Sequence, residues 1–289
     1  MSILVTGATG FIGKHILDQH HVKRIVVRTH QPNIEHAEQY VVNDICQCPD
    51  DPELFEGCDT VIYLAGIAHE ALSEVDDVRV NDVNNLAVIS FAKRAAKYGI
   101  KRFIFLSSTI VHGMASTKDV VSELTPTNPK DTASNAKFLC EQSLLKLNDT
   151  QDIEIVIVRS PLVYGEGVKG NLKILMKLVQ KAHFLPFGCA NNSRHYISVE
   201  SLTKALTNIA TIEKLEENIY LVADDNSLST KELINWMAKR QNKSIVQLPI
   251  PKALFKLIAK LSRKQKMYEQ IFGDFVVSTA RYKQLSQNK

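Results

Sequence analysis

Residues 1–13 read MSILVTGATGFIG. Ile3, Leu4 and Val5 form a short apolar run, the pattern of a strand buried on both faces. Gly7, Gly10 and Gly13 follow at intervals of three, and Ile16 and Leu17 continue a helical pattern. Strand, glycine turn and helix, in that order, are the context of a dinucleotide-binding loop. Gly7 allows a tight turn off the strand. Gly10, lacking a Cβ, lets a pyrophosphate approach the backbone. Gly13 lets the helix pack closely. The helix N-terminus adds free N–H groups and the positive end of its dipole. The spacing is G-x-x-G-x-x-G rather than the commoner G-x-G-x-x-G. The competing reading is a structural glycine turn in an unrelated α/β fold.

The rest of the chain narrows the class. Its 289 residues allow one large α/β domain, alone or with a smaller appendage. A formal net charge of +4 is too small to imply a nucleic-acid partner. No signal peptide is read, and no stretch approaches the roughly 18 apolar residues of a membrane span. The expectation is therefore a cytoplasmic protein with no integral membrane segment. Cys46, Cys48, Cys58, Cys140 and Cys189 are scattered and odd in number, which reads as free thiols. Cys46-x-Cys48 lacks a second pair, so no metal is expected.

Further strands are read at residues 23–28, 39–43, 59–64, 101–106 and 153–159. A long amphipathic helix spans residues 79–98, its apolar face formed by Val80, Val83, Ala87, Phe91 and Ala95. Gly99 ends it. His69 falls in a loop and reads as solvated. The order β-α-β-β-β-α-β implies a parallel sheet with helices on both faces and a ligand beyond the carboxyl ends of the strands. The second strand ends in Arg28, with no carboxylate before Glu35. An acidic residue there would hold the ribose 2′-OH of NAD, whereas a guanidinium suits a 2′-phosphate, so NADP(H) is favoured over NAD(H). The alternative is that Arg28 stacks on the adenine or points to solvent.

The TGATGFIG stretch resembles the short-chain dehydrogenase/reductase superfamily, in its extended branch of nucleotide-sugar epimerases, dehydratases and 4-ketoreductases. The likeness extends over nearly the whole chain and is read as strongest to bacterial UDP-N-acetylhexosamine 4-ketoreductases and epimerases of polysaccharide biosynthesis. It implies a Rossmann-type doubly wound parallel sheet over residues 1–160, with strand returns from later segments. A smaller α/β nucleotide-sugar-binding region is implied over residues 161–289. It implies a cofactor site formed by Gly7, Gly10, Phe11, Ile12, Gly13, Arg28, Asp44, Ile45, Leu64, Ala65, Lys137 and Pro161. Asn81 matches a family asparagine that pins its helix to a neighbouring strand. The resemblance also allows a homodimer through the helices at residues 79–98 and 133–147.

Ser107-Ser108-Thr109-Ile110-Val111-His112-Gly113 is similar to the family's Ser-Ser-x-x-Val-Tyr-Gly. Ser108 then takes the position of the catalytic Ser/Thr that hydrogen-bonds the C4 oxygen of the sugar, and His112 departs from the tyrosine pattern. The following helix, capped by Asp131 or Thr132, begins in the family with Tyr-x-x-x-Lys. The i, i+4 spacing puts both side chains on one face. The lysine depresses the tyrosine pKa, and the phenol serves as general acid or base. Here Lys137 is present and its partner is Ala133. An alanine has no proton to transfer. Two accounts stay open: an altered form of an active enzyme, or a natural homologue that lost its acid and kept its ligands.

At the substrate end, Ser160-Pro161-Leu162-Val163-Tyr164-Gly165 is similar to a family turn beside the nicotinamide amide. Asn171 matches an asparagine used on the pyrophosphate, or else caps its helix. Arg194 takes the place of a diphosphate-binding arginine, the residue whose guanidinium grips two phosphate oxygens at once. Residues 251–266 form a basic amphipathic helix. Leu254, Leu257, Ile258 and Leu261 are expected to bury inward while the lysines stay solvated, in preference to a peripheral membrane contact. Two functions are weighed. One is an NAD(P)-dependent 4-ketoreductase or 4-epimerase acting on a UDP-hexose or UDP-N-acetylhexosamine, very slow or inactive because of Ala133. The other is a non-catalytic homologue that binds cofactor or nucleotide sugar in a regulatory or scaffold role.

Overall fold

A computed structural model of the chain describes residues 2–17, 21–67 and 75–287. The fully buried strand β1 (Ile3–Thr6) leads through the glycine turn into α1 (Phe11–Ile16). β2 (Val22–Val27), β3 (Glu38–Val41) and β4 (Thr60–Tyr63) follow. A helix then runs from α2 (Asp77–Asn81) through a π-helical turn at Asp82–Leu86 into α3 (Ala87–Lys97). Gly99, at φ +81°, turns the chain off that helix as its position suggested. β5 (Arg102–Ser108), α4 (Thr132–Thr150) and β6 (Glu154–Ser160) complete the first half. The second half holds β7 (Val163–Tyr164), α5 (Gly170–Lys181), β8 (Phe184–Leu185), β9 (Ile197–Ser198) and α6 (Val199–Thr211). After these come β10 (Ile219–Leu221), α7 (Thr230–Arg240), β11 (Val246–Gln247), α8 (Lys252–Leu261), α9 (Gln265–Phe272) and α10 (Ala280–Gln287). His69 lies outside the described residues.

The main sheet has the order β10-β6-β5-β4-β1-β2-β3. All its pairs are parallel. The side-chain period of two sends alternate residues to opposite faces. Ile3, Val5, Ile62 and Ile104 meet Leu202, Leu206 and Ile209 of α6 on one face. Leu4, Val61, Tyr63 and Phe105 meet Phe91 of α3 and Leu144 of α4 on the other. The strand order reverses between β1 and β4. That reversal makes the switch point at which doubly wound sheets bind ligands.

β10 and α6 come from beyond residue 160 and return to the main sheet and its core. A separate apolar cluster joins Leu172 and Val179 of α5 to Leu233, Ile234 and Met237 of α7. This lobe also carries the two-stranded pairs β11–β8 and β7–β9. The expectation for α8 is overturned. Leu254, Leu257, Ile258 and Leu261 are all exposed, Leu261 at 77%. The face that packs inward carries Phe255 and Ala259 instead, with Phe255 against the rings of Phe187 and Phe272. α8 has apolar residues around most of its circumference, so amphipathicity alone could not say which of them would find a partner.

Candidate active site

The glycine turn is held against the end of β4. Gly7 adopts φ +69°, and a Cβ there would lie 2.8 Å from the Ala65 nitrogen. A Cβ on Gly13 would lie 2.2 Å from the Gly7 carbonyl oxygen and 2.6 Å from the Ala8 Cα. Neither position can carry a side chain without moving backbone. Gly10 differs: a Cβ there would meet only the Gly7 oxygen, at 3.1 Å, and otherwise extend into open space above the turn. That space is the cradle a pyrophosphate requires, and no side chain caps the α1 N-terminus beside it.

Thr6 fixes the approach of the two loops. Its Oγ1 accepts the N–H groups of both Leu64 and Ala65, each at 3.1 Å. Sequence reading did not single it out; the signal was a hydroxyl at the last position of an otherwise apolar strand. On the next turn of chain, the Asn84 amide accepts from the Ile67 N–H at 2.8 Å and donates to the Ile67 carbonyl at 3.0 Å. Asn84 therefore does the pinning expected of Asn81, whose side chain accepts from Asn85. The π-helical turn carries Val83, Asn84 and Asn85 into the interior, a shift that a regular helical wheel does not foresee.

Asp44 caps a short 3₁₀ turn at Ile45–Gln47 and pairs with Arg79 at 2.9 Å. The Arg79 guanidinium holds its carboxyl below the usual aspartate range. Ile45, Phe11 and Ile12 are half-buried. Arg28 lies one residue past β2 and is exposed.

The segment expected to carry acid–base chemistry lies at the end of β5. Ser107 and Ser108 point to opposite sides. Ser107 is buried and donates to Glu141, which is itself fully buried and paired with Arg159 of β6 at 2.6 Å. Ser108 is half-buried, and its Oγ accepts the Ile110 N–H as the cap of a 3₁₀ turn, Thr109–His112. Gly113 at φ +68° is needed there, because a Cβ would collide with the Asn128 carbonyl. α4 begins with a capping box between Asp131 and Ser134. It carries Ala133, buried, and one turn later Lys137, whose Nζ donates to the Leu106 carbonyl at 3.0 Å and lies 5.0 Å from the centre of the Phe105 ring. Burial lowers the Lys137 pKa, against the opposing pull of Cys140 and Glu141.

None of the chain's eight tyrosines takes the place next to Lys137. Tyr40 and Tyr98 donate to Asp51 and Asp50, and Tyr164 to Asp224. Tyr63 is enclosed with Phe91 and Phe103. Tyr196 is buried beside Arg194 and Thr230, and Tyr268 packs on Phe272. Tyr220 accepts from Glu217, and Tyr282 meets Asn208. His112 lies in the 3₁₀ turn after β5. It is buried, its Nδ1 is 3.2 Å from the Pro126 carbonyl, and burial lowers its pKa.

At the substrate end, Pro161 is buried directly after β6. Asn171 is exposed in the first turn of α5; the cap position is Lys169 and no side chain caps that helix, so the capping alternative fails. Arg194 is buried, donates through both Nη atoms to the Ala115 carbonyl, and stacks 5.3 Å from the Phe275 ring centre. No carboxylate pairs with it among the described residues.

A model of the NAD dependent epimerase/dehydratase family matches residues 3–223. A UDP-glucose 4-epimerase of Vibrio cholerae is 30% identical over 98% of this chain and 89% of its own. An N-acetyl-alpha-D-glucosaminyl-diphospho-ditrans,octacis-undecaprenol 4-epimerase of Escherichia coli O157:H7 is 24% identical over 91% of this chain and 82% of its own. The crystal structure of the UDP-glucuronic acid 4-epimerase of Bacillus cereus in complex with NAD superposes with a TM-score of 0.77 at 18% identity. It covers 100% of this chain and 93% of that one, a likeness of fold.

Proposed function

The chain belongs to the NAD dependent epimerase/dehydratase family, and on that premise we propose that it binds a nicotinamide dinucleotide and a UDP-hexose or UDP-N-acetylhexosamine, with very slow chemistry at C4 of the sugar. When bound, the dinucleotide supplies a hydride acceptor and donor. Gly7, Gly10 and Gly13 hold its pyrophosphate, Leu64, Ala65 and Pro161 leave room for it, and Asp44 and Ile45 meet the adenine. Arg28, exposed past β2, favours NADP(H) over NAD(H). The buried Arg194 guanidinium, without a carboxylate partner among the described residues, serves the sugar diphosphate, with Asn171 beside it. Exposed Leu86 and Leu139 support a homodimer across the helices at residues 79–98 and 133–147.

Ser108 donates to or accepts from the C4 oxygen, and Lys137, fixed at the Leu106 carbonyl, orients the ribose. The observation that carries the slow rate is Ala133: one turn before Lys137, where the resemblance places a tyrosine, stands a methyl group with no proton to transfer. The same observation favours a second reading, a non-catalytic homologue that senses or scaffolds. Ala133→Tyr separates the two. C4-epimer analysis of UDP-glucose and UDP-N-acetylglucosamine, with NADPH consumption on a UDP-4-keto-hexosamine, should gain a clear rate. A folded tyrosine variant that binds both ligands and stays inert would favour the second reading.

A further inference from the structure

The C-terminal lobe carries a charge pattern found nowhere else in the molecule. Residues 167–199 and 233–268 contain fourteen lysines and arginines and no aspartate or glutamate, in a chain whose net charge is +4. The remainder is therefore net negative, and the positive surplus is concentrated on one lobe.

The same lobe exposes large apolar side chains. α8 presents Leu254, Leu257, Ile258 and Leu261 to solvent next to the exposed Lys256 and Lys260. Arg263, Lys264 and Lys266 follow at once, and Met267 is exposed at 52%. α5 repeats the pattern, with exposed Ile174 and Leu178 beside Lys173, Lys177 and Lys181. In the same lobe, Phe184 of β8 and Val246 of β11 are register partners and both exposed. Phe255 and Ala259 anchor α8 from beneath, so the helix is held with its aliphatic residues outward.

We propose that this face docks on an anionic membrane surface, with the α8 leucines and isoleucine in the headgroup–acyl boundary and the lysines on lipid phosphates. An interfacial helix requires an apolar face bordered by lysine or arginine, and the long lysine stems reach past such a face to the phosphates. A second copy is a poor occupant. An isologous contact would set one predominantly basic face against another. The docked face lies beside the candidate site, because Lys266 of α9 pairs at 3.3 Å with Asp131, the cap of the helix carrying Ala133 and Lys137.

The test uses the full chain and co-sedimentation with vesicles of phosphatidylcholine, alone or containing phosphatidylglycerol. Binding to the anionic vesicles, weakened by added salt, is expected, with far less on phosphatidylcholine alone. Replacing Lys256, Lys260 and Lys264 by glutamine should weaken it by about a hundredfold, roughly fivefold per charge. The doubly exposed change Leu257→Glu with Leu261→Glu should abolish it while leaving the far-UV spectrum and melting temperature unchanged. Absence of binding to anionic vesicles overturns the proposal, as does equal binding to neutral ones, or indifference to both variants. A dimer in sedimentation velocity that the double glutamate variant splits, with no vesicle binding, would assign the face to a second copy instead.

Discussion

The two ends of the candidate site are built to different degrees. Around the glycine turn, Gly7 and Gly13 hold the chain close, the α1 N-terminus is left uncapped, and Thr6 fastens β1 to the end of β4. Around β5 and α4 the frame is equally tight, with Ser107, Glu141 and Arg159 locked beneath it, yet the position one helical turn before Lys137 holds a methyl group. On the proposed function, ligand binding and proton transfer fall to separable parts of one sheet edge, and only the second lacks its expected group.

The largest effect expected of this contrast is catalytic. One positioned acid or base is worth about 10²–10⁴ in rate, roughly 2.7–5.5 kcal/mol of barrier. Ala133→Tyr should recover a gain in that range in the epimer assay, with cofactor affinity little altered. Next in size is the frame below the site. Glu141→Ala would leave the Arg159 charge buried and unpaired, which typically costs about 3–5 kcal/mol, read from urea unfolding. A loss under about 1 kcal/mol would mean that water reaches Arg159.

Thr6→Val keeps the shape of the side chain and removes the acceptor for two N–H groups. A loss of about 1–3 kcal/mol in stability, together with weaker cofactor binding, is expected. Stability lost without any change in cofactor affinity would show that the approach of the two loops matters to the fold alone. The smallest effect is cofactor choice. Arg28→Glu should shift the preference from NADP(H) toward NAD(H) by about tenfold, on the order of one charge-assisted contact. An unchanged ratio in calorimetric titration would mean that Arg28 faces solvent in the complex.

The sequence made the first half of the fold legible because it is local. A strand, a glycine turn and a helix each leave a short-range pattern, and alternation of the two periods implies the parallel sheet. Ser108 was read by its distance from Gly113, and Lys137 by its i, i+4 spacing from Ala133 at the start of a capped helix; the structure places both where those local patterns put them, at the end of β5 and in the second turn of α4. Asn84 was not, because a π-helical turn displaces the face that a period of 3.6 assigns. The Ser107–Glu141–Arg159 cluster joins β5, α4 and β6 across 52 residues of chain, a contact that only the sheet register creates. α8 misled for the opposite reason. Its apolar positions are plain in the sequence, but burial depends on which face the lobe covers, and the lobe covers Phe255 and Ala259.

The separation of binding from chemistry is tested most directly on the unaltered chain, by titrating NADH and NADPH in a calorimeter, with and without UDP-glucose, beside a C4-epimer assay on the same sample. The account predicts saturable binding of cofactor and nucleotide sugar, with turnover far below the 1–10³ s⁻¹ typical of enzymes. Turnover within that range would contradict it, because some other group would then be moving the proton that Ala133 cannot.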